Sequence, residues 1–164
     1  MLKEIYLKHV IAILKLAAVC VLATSTSLAV AAAGTSADEL LSDADHVLQQ
    51  FDSNHYAEVW QNAAPFVKAK IPQDKFVGST SQARGALGAV TRRGWAQVTR
   101  IQYTGANGIP DGLYANVDYA TTLASGRTVF ELVSFQLGSD GQWRLTGYVP
   151  RQTQDAPAAQ AAKP

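Results

Sequence analysis

Residues that usually carry chemistry are scarce in this chain. Its 164 residues include one cysteine and three histidines, and only 16% are Asp, Glu, Lys or Arg. The cysteine, Cys20, lies in a leader-like N-terminal segment, so the remainder has no thiol for a disulfide or a thiolate metal site. His46 and His55 fall on separate helical patterns without a His-Glu-x-x-His spacing, which leaves no metal centre to expect. No Gly-x-Ser-x-Gly elbow, phosphate loop or dinucleotide fingerprint occurs, so the pattern implies no cofactor. No apolar run approaches the roughly 20 residues that cross a bilayer. With 14 basic against 13 acidic residues there is no basic field to hold a phosphate backbone, which excludes nucleic acid as a partner.

What is present begins with an address. Lys3, Lys8 and Lys15 lead into the apolar run from Leu16 to Ala23, followed by Ser27-Leu28-Ala29-Val30-Ala31-Ala32-Ala33, the three-part build of a signal peptide over residues 1–33. Cleavage is expected after Ala31 or Ala33, giving a periplasmic or secreted protein that meets the membrane only through the signal. The branched Val19 just before Cys20 disfavours a lipoprotein signal. Residues 152–164, rich in Ala, Pro and Gln, bury nothing that would offset the entropy of ordering them and read as a disordered tail. Between lies one domain, residues 36–151, large enough to bury a core without staples.

Its first half has a helical period. Ser36 is placed to cap a helix whose apolar face carries Leu40, Leu41, Ala44, Val47, Leu48 and Phe51. A second stripe, Tyr56, Val59, Trp60 and Ala63, should stop just before Pro65. A third helix should begin near Pro72 and end around Gly85 or Gly88. The second half changes to strands at Trp95 to Tyr103, Leu113 to Thr121, Thr128 to Leu137 and Trp143 to Val149, separated by glycine-bearing turns. Short turns imply antiparallel neighbours. The expected class is α+β, with N-terminal helices on a four-stranded antiparallel sheet.

Several segments follow one another in an order that resembles a bacterial secreted family, domain of unknown function 4019. They are Tyr56-Ala57-Glu58-Val59-Trp60, Ala63-Ala64-Pro65-Phe66, Arg84-Gly85-Ala86-Leu87-Gly88, Pro110-Asp111-Gly112-Leu113-Tyr114, and Asp140-Gly141-Gln142-Trp143-Arg144-Leu145-Thr146-Gly147-Tyr148. The resemblance implies a cone-like architecture similar to the nuclear transport factor 2-like folds, with helices closing over a curved sheet. Function does not travel with that fold.

Candidate binding residues are the polar side chains that punctuate apolar strands: Asp118, Glu131, Arg144 and Tyr148. If the last hairpin closes with Leu137 opposite Gln142, then Glu131, Arg144 and Tyr148 share a face, and a buried cluster of the three is expected. A bulge at Asp140-Gly141 would send Arg144 and Tyr148 to the other face. The tryptophans Trp60, Trp95 and Trp143 are expected in the core or a pocket wall, and Arg84, Arg92, Arg93 and Arg100 are expected to be solvated or paired with carboxylates. Two function classes follow. One is a non-catalytic envelope domain that binds a small apolar ligand or an envelope protein. The other is an isomerase- or dehydratase-like enzyme with Asp118 or Glu131 as base and Tyr148 as proton donor.

Overall fold

The computed structural model describes residues 36–154, so the expected signal segment and most of the expected tail lie outside the described residues. Four helices precede four strands: α1 (Ala37–Asp52), α2 (Tyr56–Gln61), α3 (Pro65–Lys70), α4 (Gln73–Leu87), β1 (Val90–Tyr103), β2 (Gly112–Leu123), β3 (Thr128–Leu137) and β4 (Trp143–Arg151). The strands form one antiparallel sheet in the order β1-β2-β3-β4, which makes the domain α+β.

α1 starts where its cap requires. The Ser36 hydroxyl accepts from the amides of Asp38 (3.2 Å) and Glu39 (3.4 Å), and both acids sit at the positive end of the helix dipole. Its buried stripe is Leu40, Ala44, Val47, Leu48 and Phe51. This stripe packs with Val59, Ala63, Ala64 and Val67 against Ala115, Val117, Tyr119, Val133, Phe135 and Leu145 of the sheet. The odd-numbered residues of β2 and β3 therefore face the helices. Two polar links fix the layers: the Tyr119 hydroxyl donates to Asp45 of α1 at 2.7 Å, and the Ala64 amide donates to the Leu145 carbonyl at 2.9 Å.

Three expectations need correction. α2 ends at Gln61, and Pro65 opens a further helix, α3, in place of merely ending one; proline suits the first helical position, where its missing N–H has no partner to lose. β1 begins at Val90, five residues earlier than the apolar pattern indicated. Its opening segment, Val90-Thr91-Arg92-Arg93-Gly94, is polar, and pairing with Thr121 and its neighbours draws it into the sheet. Finally, Trp95 is not buried. It pairs across the ladder with Tyr119, which is covered by α1, but β1 is an edge strand and Trp95 remains 60% exposed beside a register shift.

Register decides which face each polar side chain reaches. Leu137 pairs with Trp143, one residue beyond the expected partner, and Phe135 pairs with Leu145. Between Phe135 and Ser134 the register shifts again, because Ser134 pairs with Gly147 and leaves Thr146 as a bulge. The first slip carries Arg144, opposite Gln136, to the face away from the helices. The second returns Tyr148, opposite Val133, to the helix face.

Candidate functional site

Glu131 is the polar centre of the domain. It stands on the helix-facing stripe of β3 between Val129 and Val133 and is 0% exposed. A carboxylate there is tolerable only if its acceptor positions are filled. They are filled from four elements. Oε1 accepts from Thr121 Oγ1 on β2 (2.5 Å) and Arg93 Nε on β1 (2.9 Å), while Oε2 accepts from the Tyr148 hydroxyl on β4 (2.6 Å) and from Arg84 Nη1 at the end of α4. Arg84 Nη1 also lies 3.0 Å from the Tyr148 hydroxyl.

The two guanidinium groups continue outward to Asp52. Arg93 donates to both its carboxylate oxygens, at 2.9 and 3.2 Å, and Arg84 Nη2 also bonds Oδ1. Asp52 is the last residue of α1, where the helix dipole disfavours an anion, and the two arginines offset that cost. Two acids and two bases thus alternate from the core to the surface, with Asp52 37% exposed at the outer end. Phe51, next to it, places its ring 4.9 Å from that of Tyr148.

The four sequence candidates are divided by this geometry. Glu131 and Tyr148 meet as expected. Arg144 does not join them, because the Leu137–Trp143 closure puts it on the opposite face, where it pairs with Asp140 at 2.8 and 2.5 Å. Asp118 also faces away from the helices, opposite Leu132, and is held by Arg151 at 2.6 Å. The exposed Arg144–Asp140 pair lies four residues apart across a tight turn, so Arg144→Ala should leave the denaturant midpoint of unfolding unchanged within error. A clear shift in that midpoint would show a wider role for the turn.

The family model described as "Protein of unknown function (DUF4019)" matches residues 43–148. The chain belongs to this family. No curated protein matches it. The matched span of this DUF4019 domain includes Asp52, Arg84, Arg93, Thr121, Glu131 and Tyr148.

The electrostatics of the cluster in this DUF4019 domain favour fixed charges. Burial pushes the Glu131 carboxyl up, but the bonds from Thr121 and Tyr148 and the charges of Arg84 and Arg93 outweigh it, and the group is held below its ordinary value. Burial, then the Glu131 charge, raises the Tyr148 phenol well above its ordinary range. Arg84 and Arg93 are raised despite burial, through their two carboxylates and, for Arg84, Tyr148. A carboxylate whose folded pKa lies below its unfolded value stabilises the fold fully above the unfolded value and loses that contribution as pH falls through the folded one. Stability should therefore decline below about pH 4.5, by at most ~1.4 kcal/mol per pH unit from this proton. Chemical denaturation between pH 7 and pH 2.5 measures it, and Glu131→Gln should flatten the slope. An equal slope in that variant would assign the loss to other acids.

A cleft of about 620 Å³ opens beside the outer end of the cluster, between the end of α1, α4 and the start of β1. Phe51 and Tyr56 give it an aromatic wall, Ser81 and Gly85 line it from α4, and Asp52 and the arginines give it a polar side. Among the described residues no group of three His, Cys, Asp or Glu side chains is placed to hold a metal, and no helix is long and apolar enough to cross a membrane. The nearest precursors in sequence to this site were Arg84 and Arg93, read only as solvated or carboxylate-paired. A signal was available for Arg93: it precedes Trp95 by two residues, the spacing that puts both side chains on one face of a strand.

Proposed function

We propose that the chain is an exported, non-catalytic binding domain that holds a small molecule in the cleft between α1, α4 and β1. The observation that carries this reading is the saturation of Glu131. Both its oxygens accept two bonds, its charge is balanced by Arg84 and Arg93, and no acceptor position remains for a substrate proton. A general base needs access and a pKa near the working pH, and Glu131 has neither. Tyr148 gives its hydrogen to Glu131, and Asp118 lies on the other face, which weighs against the isomerase-like alternative.

The cleft supports binding by its composition. An apolar body fits against Phe51 and Tyr56, and a polar end meets Asp52 or Arg93 at the exposed edge of the cluster. Export rests on the basic, apolar and small-residue pattern of the first 33 residues. The test is native mass spectrometry of the protein recovered from its own envelope without denaturation. A bound small molecule is expected, and Ser81→Trp, which fills the cleft from an exposed position on α4, should lose it with no fall in stability. Recovery of the empty protein, or equal occupancy of the Ser81→Trp variant, would overturn the reading.

A further inference from the structure

The face of the sheet away from the helices carries a groove of about 290 Å³ that shares no lining residue with the cleft. Strand parity fixes what points into it. Ala115, Val117, Val133 and Phe135 pack toward the helices, so Asn116 of β2 and Ser134 of β3 point the other way. Asn116 stands directly opposite Ser134, and Ser134 stands opposite Gly147, next to the bulged Thr146 that completes this side of the groove. An amide and two hydroxyls thus form a row across β2, β3 and β4. All three side chains are half-buried, and none has a hydrogen-bond partner among the described residues. The opposite side is apolar, with Ile101 and Tyr103 from β1 and Ile109 from the loop between β1 and β2. That loop is tied at three points: the Tyr114 hydroxyl donates to the Pro110 carbonyl (2.9 Å), Asp111 accepts from the Gly105 amide (2.7 Å), and Lys70 of α3 donates to the Gly108 carbonyl (2.8 Å). The wall is therefore formed before any ligand arrives. We propose that this groove binds one neutral sugar ring, with hydroxyls on Asn116, Ser134 and Thr146 and a C–H face against Ile101, Tyr103 and Ile109.

Size, charge and topology define the class. A cavity of ~150 Å³ holds a six-membered carbon ring, so at that packing 290 Å³ takes about twelve heavy atoms, the count of one hexose. The lining contains no Asp, Glu, Lys, Arg or His. Charged groups beside the groove are already engaged, Lys70 and Asp111 within the loop contacts and Arg144 with Asp140. A charged ligand would lose hydration there without gaining a counter-charge. A wholly apolar one would cover three polar side chains and pair with none of them. An extended peptide would need a free ladder edge, and β2 and β3 are paired on both sides. A pyranose meets the remaining requirement, since each of its hydroxyls both donates and accepts, as do the amide and hydroxyls of the row.

The probes are the methyl pyranosides of glucose, galactose, mannose and N-acetylglucosamine, titrated into the ¹⁵N-labelled protein and followed in proton–nitrogen spectra. At least one should move the Asn116 side-chain amide and the backbone amides of Ser134 and Thr146 saturably, and leave those of Ser81 and Gly85 in the cleft in place. Tetrahydropyran, which keeps the ring and lacks the hydroxyls, should bind at least about fivefold more weakly than the best pyranoside, the effect of roughly one unmade hydrogen bond. Methyl glucuronide, which adds a carboxylate, should also bind more weakly than the best pyranoside. Thr146→Val keeps the side-chain shape and deletes one hydroxyl, and Ile109→Ser removes part of the apolar wall from an exposed loop position. Each should weaken binding severalfold with no change in the denaturant midpoint. Ser81→Trp, in the cleft on the other face, should leave these titrations unchanged, so loss of one site is distinguished from loss of the other. No saturation with any of the four pyranosides, equal affinity for tetrahydropyran, or full affinity in both Thr146→Val and Ile109→Ser would overturn the site. Movement of the same signals with protein concentration alone would assign the face to a second copy of the chain and overturn it as well.

Discussion

Arg93→Ala is expected to destabilise the domain by about 2 to 4 kcal/mol, far more than loss of a surface arginine would. The side chain touches both carboxylates of the chain of charges, Glu131 in the core and Asp52 at the end of α1. Its removal leaves Glu131, which has no solvent access, with one cation in place of two, and leaves Asp52 more exposed to the unfavourable end of a helix dipole. Much of the cost is therefore stranding, and stranding can be relieved from the other side. Glu131→Gln keeps the shape and removes the charge, so the double variant Arg93→Ala with Glu131→Gln should recover at least about 1 kcal/mol relative to Arg93→Ala alone. Replacing Glu131, Arg84 and Arg93 together by apolar residues of similar volume should cost less than the single Arg93→Ala change. Urea denaturation of this series decides the matter. A near-neutral Arg93→Ala, or strict additivity in the double variant, would mean that the charges are solvated in solution.

The elements of this fold could be read from periodicity because each presents a regular apolar stripe. The α1 stripe from Leu40 to Phe51 and the limits of β3 at Thr128 and Leu137 match the sequence pattern. Periodicity fails where a residue's role depends on something outside its own segment. Pro65 stops one helix and starts another, and the Ala64 amide just before it is held by the Leu145 carbonyl, a partner far along the chain. Trp95 has the right parity for the core, yet it lies on an edge strand, and edge position is a property of the whole sheet.

The candidate site was legible at its centre and not at its partners. Glu131 stands out as a lone acid in an apolar strand, and cost alone demands that something pair with it. The cation that the sequence offered within the expected span of β4 is Arg144, but the Leu137–Trp143 closure puts it on the far face, and the bulge at Thr146 separates it from Tyr148. The true partners, Arg84 and Arg93, come from α4 and β1, 47 and 38 residues away along the chain. Pairing at that separation follows from the order of the strands and the docking of α4, which no local pattern encodes.

Phe51→Ala should cost about 3 to 5 kcal/mol, the usual range for truncating a fully buried aromatic ring. Phe51 is 1% exposed and lies where the apolar core meets the charged cluster, with its ring 4.9 Å from Tyr148 and 5.8 Å from Tyr56. The void left by alanine would thus open beside the hydroxyl that closes Glu131. Tyr148 can then shift, and its bond to Glu131 should weaken even though neither residue has changed. This gives the substitution a second signature besides its size. Tyr148→Phe, which deletes only that hydroxyl, should be less costly in the Phe51→Ala background than in the wild type, with a coupling of about 0.5 to 1.5 kcal/mol in a double-mutant cycle. Phe51→Leu, which retains most of the volume, should lose less than half as much stability and keep most of the coupling. Additive effects of Phe51→Ala and Tyr148→Phe would separate the core from the cluster energetically, and the cleft between α1, α4 and β1 would then be held by the helices without help from Glu131.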